Sequence, residues 1–491
     1  MKILMVTAEM TPLIKVGGLA DVVGALPAAL ARRGHEVRVV LPCYRDLSTD
    51  GAGPADWQGC RTVPLRVGQR MASVNYRTWA DAPEGVTVDL VQAEGWFDRP
   101  GIYMHPDGLP FSDDIERWAI LAHAALMVPE LADWPVDVVH AHDAQAGAAL
   151  LLRRHVYGDR PLPGPGRTML TIHNLSHQIL VPPTDLQPLG LPPHLVHFPG
   201  PLEFYGQANL LKGAILASDL VNTVSPTYAR QVTADHEMGC GLEGVLAGLG
   251  DRFVGILNGV DTDVWNPTTD PHLPARYTAD DLTGKAACRQ ALVEEMGLEP
   301  GDGPLLGLVG RLVPQKGIDL LTDVLDRAVG AGFSLAVLGT GAEEYHELLH
   351  AAATRHPGRV AFRDEFNEGL AHRIYAGSDL FLMPSRYEPC GLSQLYALRY
   401  GTPPVVRATG GLADTVDDAA GHSGTGFVFN DPRGEALWAA LERARALHAD
   451  RGAWRALQRR GMARESGWDR AAAEYEARYR WLLEPGVRPK G

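Results

Sequence analysis

The chain has few cysteines and no surplus of positive charge. Its 491 residues include five cysteines, widely spaced and without a Cys-x-x-Cys pair, which are Cys43, Cys60, Cys240, Cys288 and Cys390. An odd number of scattered cysteines argues against a disulfide framework or a zinc site and indicates a reducing compartment. The formal net charge of −14 argues against a broad surface for nucleic acid or anionic membrane. Any anionic ligand therefore needs a local pocket.

Long hydrophobic runs are also missing. The apolar start of the chain is too short for the core of a signal peptide and fits a first buried strand better. No run reaches the length that spans a bilayer. The sequence contains no P-loop, no tight Gly-x-Gly-x-x-Gly and no His-Glu-x-x-His motif. We therefore expect a cytoplasmic protein.

The pattern of apolar segments predicts two α/β domains, each with a doubly wound parallel sheet. A chain of this length is too long for one core, and near-continuous apolar strands alternate with helical segments. Strands are predicted at 2–9, 36–42, 137–143, 168–174, 220–225, 254–257, 305–310, 334–339, 359–363, 379–384, 404–407 and 426–429, with an irregular β region at 61–98. Helices are predicted at 20–33, from about Gln207, and at 469–483. The expected domains are 1–250 and 251–465, followed by a C-terminal helical segment, 466–491.

The pentapeptide Gly-Gly-Leu-Ala-Asp occurs twice, at 17–21 and at 410–414. Each copy follows a strand-like run and opens a helix-like one. Glycines let the main chain approach a ligand, and a helix start offers free N–H groups, so each copy suits an anion cradle. Chance, or two ordinary strand-to-helix turns, would explain the repeated pentapeptide equally well.

Other polar residues stand where an α/β sheet presents its ligands, at the carboxyl ends of strands. Arg311 and Lys316 flank the turn after strand 305–310, and two such cations suit the two phosphates of a diphosphate leaving group. Taken alone, they also fit a solvated helix start. Glu388 begins Glu-Pro-Cys-Gly-Leu-Ser and could accept from sugar hydroxyls, or simply complement a helix dipole.

Two further features have a structural and a functional interpretation. His173 ends a strand and could reach a sugar, although such a histidine is more often structural. Asp261 and Asp263 could suggest a metal pair, but no third ligand is close in sequence, and a structural turn fits better.

Ten motifs, taken in order, resemble the bacterial glycogen synthases and plant starch synthases, which are retaining glucosyltransferases of the two-Rossmann GT-B fold. They are KVGGLADVVGALP, FDRPGIY, DVVHAHD, TIHNLSHQ, FYGQANLLKG, NTVSPTYA, GILNGVDTDVWNP, GRLVPQKGIDL, AHRIYAGSDLFLMPSRYEPCGLSQLYALRYGT and TGGLADTV. The match covers essentially the whole chain. It implies two Rossmann-like domains that face each other across a deep cleft, and a final helix that returns to the first domain.

The resemblance implies a role for each matching residue. Lys15 and Gly18 would meet the nucleotide diphosphate, Arg311 and Lys316 would hold it, and Ser393 would contact phosphate. His173 would lie by the transferred glucose, and Glu388 would hold its hydroxyls. Phe366 would stack on the nucleobase. The other substrate-binding candidates are Gly17, Asp21, Asp143, Asn174, Asn258, Cys390, Gly391, Leu392, Thr409, Gly410 and Gly411.

The implied reaction transfers glucose from ADP-glucose to the non-reducing 4-OH of an α-1,4-glucan. The family retains the anomeric configuration and uses no metal and no PLP, so the implied partners are the donor and the glucan, without nucleic acid or membrane. One departure matters: where the family commonly has His-Asp-Trp-His, this chain has His142, Asp143, Ala144 and Gln145. A sucrose- or trehalose-synthase type of glucosyltransferase, or a catalytically weak nucleotide-sugar or glucan-binding protein, stays an alternative.

Overall fold

In the computed structural model of this chain, residues 1–48, 55–56, 62–105, 108–158 and 162–485 are described, and the chain divides into two compact units. The first unit contains Met1–Val224, Ala229–Gly259 and the C-terminal segment that begins at Trp468. The second contains Ser225–Tyr228 and Val260–Gly467.

The strands are β1 (Lys2–Val6), β2 (Glu36–Pro42), β3 (Ala55–Asp56), β4 (Val63–Val67), β5 (Arg70–Thr78), β6 (Val86–Ala93), β7 (Val138–His142), β8 (Arg167–Ile172), β9 (Leu180–Val181), β10 (Glu203–Phe204), β11 (Gln207–Asn209), β12 (Leu220–Thr223), β13 (Phe253–Gly255), β14 (Leu305–Val309), β15 (Ser334–Leu338), β16 (Val360–Arg363), β17 (Leu380–Met383), β18 (Pro404–Arg407) and β19 (Phe427–Phe429). Most lie inside the predicted strand segments, and several end one or two residues earlier.

The α-helices are α1 (Gly18–Arg32), α2 (Asp114–Leu131), α3 (Asp143–His155), α4 (Leu210–Ala217), α5 (Pro226–Ala234), α6 (His236–Gly239), α7 (Glu243–Ala247), α8 (Thr283–Met296), α9 (Ile318–Gly330), α10 (Glu343–Arg355), α11 (Glu368–Gly377), α12 (Ser393–Arg399), α13 (Gly410–Thr415), α14 (Gly434–Ala449), α15 (Arg451–Met462) and α16 (Trp468–Leu483). Short 3-10 helices span Pro183–Leu189, Pro193–Val196, Gly250–Arg252 and Pro314–Lys316. Among the described residues, no helix combines the length and apolar character needed to cross a membrane.

The first unit is built on one large sheet whose strand order is β13-β12-β8-β7-β1-β2-β6-β5-β3, with β4 paired to β5. The strands from β13 to β6 run parallel, and β5 adds an antiparallel edge. The chain moves outward from β1 through β2 to β6 and then returns to place β7 on the other side of β1. The strand order therefore reverses between β1 and β7, where doubly wound sheets bind ligands.

The helices of the first unit bury one face each. In α1, apolar side chains at helical spacing, from Leu19 through Val22 and Leu26 to Leu30, are buried. Helix α16 buries Trp468, Tyr475, Tyr479 and Leu482 in the same core as β1. The predicted return of the final helix to the first unit agrees with this packing.

The second unit has a six-stranded parallel sheet in the order β16-β15-β14-β17-β18-β19. Its strand order reverses between β14 and β17, since the chain runs outward from β14 to β16 before β17 returns to the other side of β14. The apolar faces of these strands and of helices α9 and α14 form one buried core. The predicted doubly wound sheets are thus present in both units.

Two sequence predictions need correction. The strand near residue 254 pairs with β12 and completes the first sheet, so the change of unit comes at Gly259–Val260, later than the predicted boundary at 250/251. The helix predicted from about Gln207 begins at Leu210, because Gln207–Asn209 forms a strand of the small sheet β10-β11-β9. Both errors concern pairing between distant segments, which local periodicity does not report.

Candidate active site

In the second unit, three neighbouring parallel strands carry the predicted donor-site residues on the loops that follow them. Strand β14 leads to Arg311 and Lys316, β17 leads to Glu388, and β18 leads to Gly410. These loops lie at the reversal of strand order. Side chains that are far apart in sequence are therefore neighbours at one edge of the sheet.

Lys316 and Glu388 form the closest contact of this site. The Lys316 ammonium donates to Glu388 Oε2 at 2.6 Å, and the Ser385 hydroxyl donates to the same oxygen at 3.0 Å. Glu388 is 5% exposed. One ammonium proton is used in this pair, which leaves two donors of Lys316 for a ligand. Within the described part of the chain, Glu388 Oε1 has no hydrogen-bond partner and is available to a hydroxyl.

The pair forms because two loops pack backbone to backbone. The Arg386 N–H donates to the Gln315 carbonyl at 2.8 Å. Gly317 has a left-handed backbone (φ 65°), and a Cβ at this position would lie 2.2 Å from the Pro384 carbonyl oxygen. Only glycine allows this approach, which brings Lys316 to Glu388.

The loop that contains Glu388 packs against the backbone of Gly410 and Gly411, the glycines of the second pentapeptide. The Gly411 N–H donates to the Glu388 carbonyl at 3.1 Å, and a Cβ on Gly410 would lie 1.9 Å from that carbonyl oxygen. The buried Gln394 amide donates to the carbonyls of Cys390 (3.1 Å) and Gly391 (2.9 Å). The glycines of the second pentapeptide therefore serve close packing under the loop.

The remaining donor-site predictions lie on loops and helix starts of the second unit. Arg311 is exposed, and it forms no ion pair with any described residue. Phe366 is 78% exposed, in the loop between β16 and α11. Leu392 is the N-cap residue of α12, Ser393 is its first residue, and Thr409 is the N-cap residue of α13.

In the first unit, the loop that contains Lys15 is organised by a carboxylate. Glu9 Oε2 accepts from the backbone N–H groups of Val16 (2.6 Å) and Gly17 (3.0 Å). The Lys15 ammonium donates to Asp21 at 2.7 Å. Since the Gly17 N–H is already bonded within the protein, the groups of this loop that can reach an anion are Lys15 and the N–H of Gly18 at the start of α1.

Two histidines and an aspartate meet at the ends of β7 and β8. His142 Nδ1 lies 3.0 Å from His173 Nε2, and Asp143 Oδ1 accepts from the His173 N–H at 2.6 Å. Burial lowers the pKa of His173 to about 3 and keeps the pKa of His142 well below its usual range. Burial also raises the pKa of Asp143 to about 7. Both rings are therefore neutral at pH 7 and carry one N–H each, and one of the two facing nitrogens donates to the other.

The other candidate residues of the first unit lie in different settings. Asn174 Oδ1 accepts from the N–H and the hydroxyl of Ser176, which makes a local turn. Asn258 is 9% exposed, and its Oδ1 is buried without a partner among the described residues. Ala144 is fully buried and Gln145 is half-buried at the two positions that depart from the family motif.

Two further aspartates of the quoted motifs have structural roles. Asp414, from the second pentapeptide, accepts from the Ser225 hydroxyl (2.6 Å) and the Thr227 N–H (3.0 Å). Asp261 Oδ1 accepts from the N–H of Asp263 at 3.0 Å, which confirms the structural turn predicted there.

Across the described residues, no group of three or more His, Cys, Asp or Glu side chains is arranged to hold a metal ion. The described cysteines are free thiols, and Cys60 lies outside the described residues.

Sequence reasoning missed three residues that organise the site: Glu9, Ser385 and Gln394. Glu9 and Ser385 each lie just after a buried strand, where a polar residue signals the ligand edge of a sheet. The role of Gln394 had no such signal, because its partners lie on its own loop and on Thr415.

Comparisons with known proteins match the chain along most of its length. Residues 2–248 match the family model of the starch synthase catalytic domain, and residues 294–456 match that of glycosyl transferases group 1. A glycogen synthase of Anaeromyxobacter sp. is 46% identical over 99% of this chain and 100% of its own length. Glycogen synthase 2 of Geobacter sulfurreducens is 44% identical over 99% of each chain.

Solved structures show the same fold. The catalytic domain of starch synthase IV from Arabidopsis thaliana, bound to ADP and acarbose, is 32% identical, with a TM-score of 0.89 over 98% of this chain and 99% of that one. A sucrose-phosphate synthase from Thermosynechococcus elongatus, at 17% identity and a TM-score of 0.62, shares the fold alone. The predicted family and GT-B fold are confirmed. The chain belongs to the glycogen and starch synthase family, and it is a glycosyltransferase that transfers glucose in glycogen or starch synthesis.

Proposed function

We propose that the enzyme takes glucose from ADP-glucose and adds it to the non-reducing 4-OH of an α-1,4-glucan, with retention of the anomeric configuration. The observation that carries this proposal is the contact between Lys316 and the buried Glu388 at the ligand edge of the second sheet. It joins a cation suited to a diphosphate with a carboxylate suited to sugar hydroxyls. A diphosphate-linked sugar needs both at adjacent points.

The cations have a direct role in bond cleavage. As the bond from glucose C1 to the phosphate oxygen breaks, negative charge develops on the diphosphate. The two remaining donors of Lys316, and the exposed Arg311, stabilise that charge more in the transition state than in the ground state. The acceptor 4-OH attacks C1 on the same face, and the departing phosphate oxygen takes its proton.

The other predicted residues complete the proposal. Glu388 Oε1 accepts from glucose hydroxyls, with the amides of Cys390 and Gly391 beside it. Phe366 offers an exposed ring on which a nucleobase can stack. The choice of ADP-glucose is supported by the ADP bound to the Arabidopsis starch synthase, since that protein has the same fold. A cytoplasmic location, and independence from metal and PLP, stay predictions from the sequence.

The proposal is tested by transfer of label from ADP-[¹⁴C]glucose into glycogen, with UDP-[¹⁴C]glucose in parallel and the Lys316→Met variant as the blank. We expect label from ADP-glucose in polymer that an α-1,4-specific amylase releases. Label only from UDP-glucose would correct the donor. If neither donor labels glycogen while calorimetry detects ADP-glucose binding, the transfer proposal fails, and Ala144 and Gln145 mark a catalytically weak binding protein.

A further inference from the structure

The segment FDRPGIY, residues 97–103, has no part in the site described above, yet the structure holds it firmly. Arg117, 0% exposed, donates from Nη1 to the Ile102 carbonyl at 2.8 Å and from Nε to the Trp96 carbonyl at 3.1 Å. A fully buried guanidinium thus clamps the backbone at both ends of this segment. The segment ends in Tyr103.

Tyr103 connects this clamp to the loop that contains Lys15. Its hydroxyl donates to Glu9 Oε1 at 2.7 Å, while Glu9 Oε2 accepts from the backbone N–H groups of Val16 and Gly17. Glu9 is only 3% exposed. One buried carboxylate therefore collects three hydrogen bonds from two separate segments of the first unit.

Among the described residues, the loop is also held by the Ala20 N–H, which donates to the Gly17 carbonyl at 3.2 Å, and by the ion pair between Lys15 and Asp21. Residues 15–18 include two adjacent glycines, which lose more backbone freedom on ordering than other residues. The ion pair between Lys15 and Asp21 involves side chains that are 31% and 20% exposed, and an ion pair open to solvent contributes little order. The bonds from Glu9 to two successive N–H groups supply that order at the backbone.

We propose that Glu9 is a positioning residue of the transfer reaction: held by Tyr103, its carboxylate fixes the backbone of residues 15–18 and so places the Lys15 ammonium for the donor diphosphate. This inference rests on the proposed function, together with the role at the diphosphate that the family resemblance implies for Lys15. Burial raises the pKa of Glu9 while the hydrogen bonds from Tyr103, Val16 and Gly17 lower it. A neutral glutamine can keep the same contacts, because its oxygen accepts from both N–H groups and its amide donates to the Tyr103 oxygen.

The experiment compares Glu9→Ala, Glu9→Gln and Tyr103→Phe with the wild-type enzyme, and Glu94→Ala serves as the matched control because Glu94 is an exposed glutamate of the same unit. Each variant is measured for the KM of ADP-glucose, the KM of glycogen, kcat, and hydrogen exchange of the peptide that covers residues 15–18. We expect Glu9→Ala to raise the donor KM by about tenfold or more, as positioning losses do. Exchange at Val16 and Gly17 should rise with it.

The remaining variants separate positioning from folding. Glu9→Gln should stay within about threefold of the wild-type donor KM, Tyr103→Phe should fall between the two, and the KM of glycogen should change least. A donor KM and an exchange rate unchanged in both Glu9→Ala and Tyr103→Phe would overturn the proposal. If Glu9→Ala does not fold, Tyr103→Phe carries the same test. Lys15→Ala with a normal donor KM would instead refute the role of Lys15, while the exchange data would still report on Glu9.

Discussion

Replacement of Lys316 by methionine should show what the contact between Lys316 and Glu388 contributes to stability and what Lys316 contributes to activity. Methionine keeps most of the side-chain length and removes the charge. It leaves Glu388, 5% exposed, with the Ser385 hydroxyl as the remaining hydrogen-bond donor to its carboxylate. Breaking a buried ion pair by removing one partner costs about 3–5 kcal/mol. Because the Lys316 side chain is 25% exposed, we expect the lower end of that range, about 3 kcal/mol.

The Lys316→Met variant should lose more activity than its lower stability accounts for. Removal of one preplaced charge-stabilising donor lowers kcat by about 10²–10³-fold. The double variant Lys316→Met/Glu388→Gln removes the stranded carboxylate charge. It should therefore recover much of the stability and none of the activity. Because Glu388 also holds the sugar in the proposed function, the kcat of the single variant Lys316→Met is the measurement that reports on the diphosphate.

Chemical denaturation of the ligand-free protein gives the free energies of unfolding, and labelled transfer from ADP-glucose gives kcat. The four proteins of the cycle give the coupling energy between the two side chains. A Lys316→Met enzyme with kcat within threefold of wild type would refute the diphosphate assignment. Equal stabilities across the cycle would show that the contact at 2.6 Å contributes nothing to folding.

Three other predictions concern the base, the metal and acid stability. Phe366→Ala should raise the donor KM more than it lowers kcat, because stacking on the base is largely uniform binding; an unchanged KM would place the base elsewhere. EDTA should leave transfer intact, because Arg311 and Lys316 supply the positive charge; activity lost to EDTA and restored by Mg²⁺ would contradict this. Burial lowers the pKa of His123 to about 4 and of His140 to about 3. Below pH 6.5 these histidines therefore bind more protons in the unfolded chain than in the folded one, and the free energy of unfolding falls. The loss is about 2 kcal/mol per histidine at pH 5. The raised pKa of Asp143 acts in the opposite sense and offsets about one histidine, and denaturation midpoints that match at pH 7 and pH 5 would refute the burial argument.

Much of the fold followed from local pattern. The bounds predicted for β2 and β18 are confirmed, because both strands consist mainly of buried apolar residues. The polar residues that end strands also indicated the ligand edge, and Lys316 and Glu388 do meet there. The order of ten motifs was enough to predict the family.

What the sequence by itself determined about this protein is therefore the class of fold, the edge of each sheet at which ligands are expected, and the family. Only the tertiary structure decided which strands pair and which hydrogen-bond partners the polar groups at those edges have. It assigned β13 to the first sheet, used the Gly17 N–H for Glu9, and paired Lys316 with Glu388. Periodicity reports whether a residue is buried within its own segment, whereas hydrogen-bond partners from distant segments depend on which strands become neighbours.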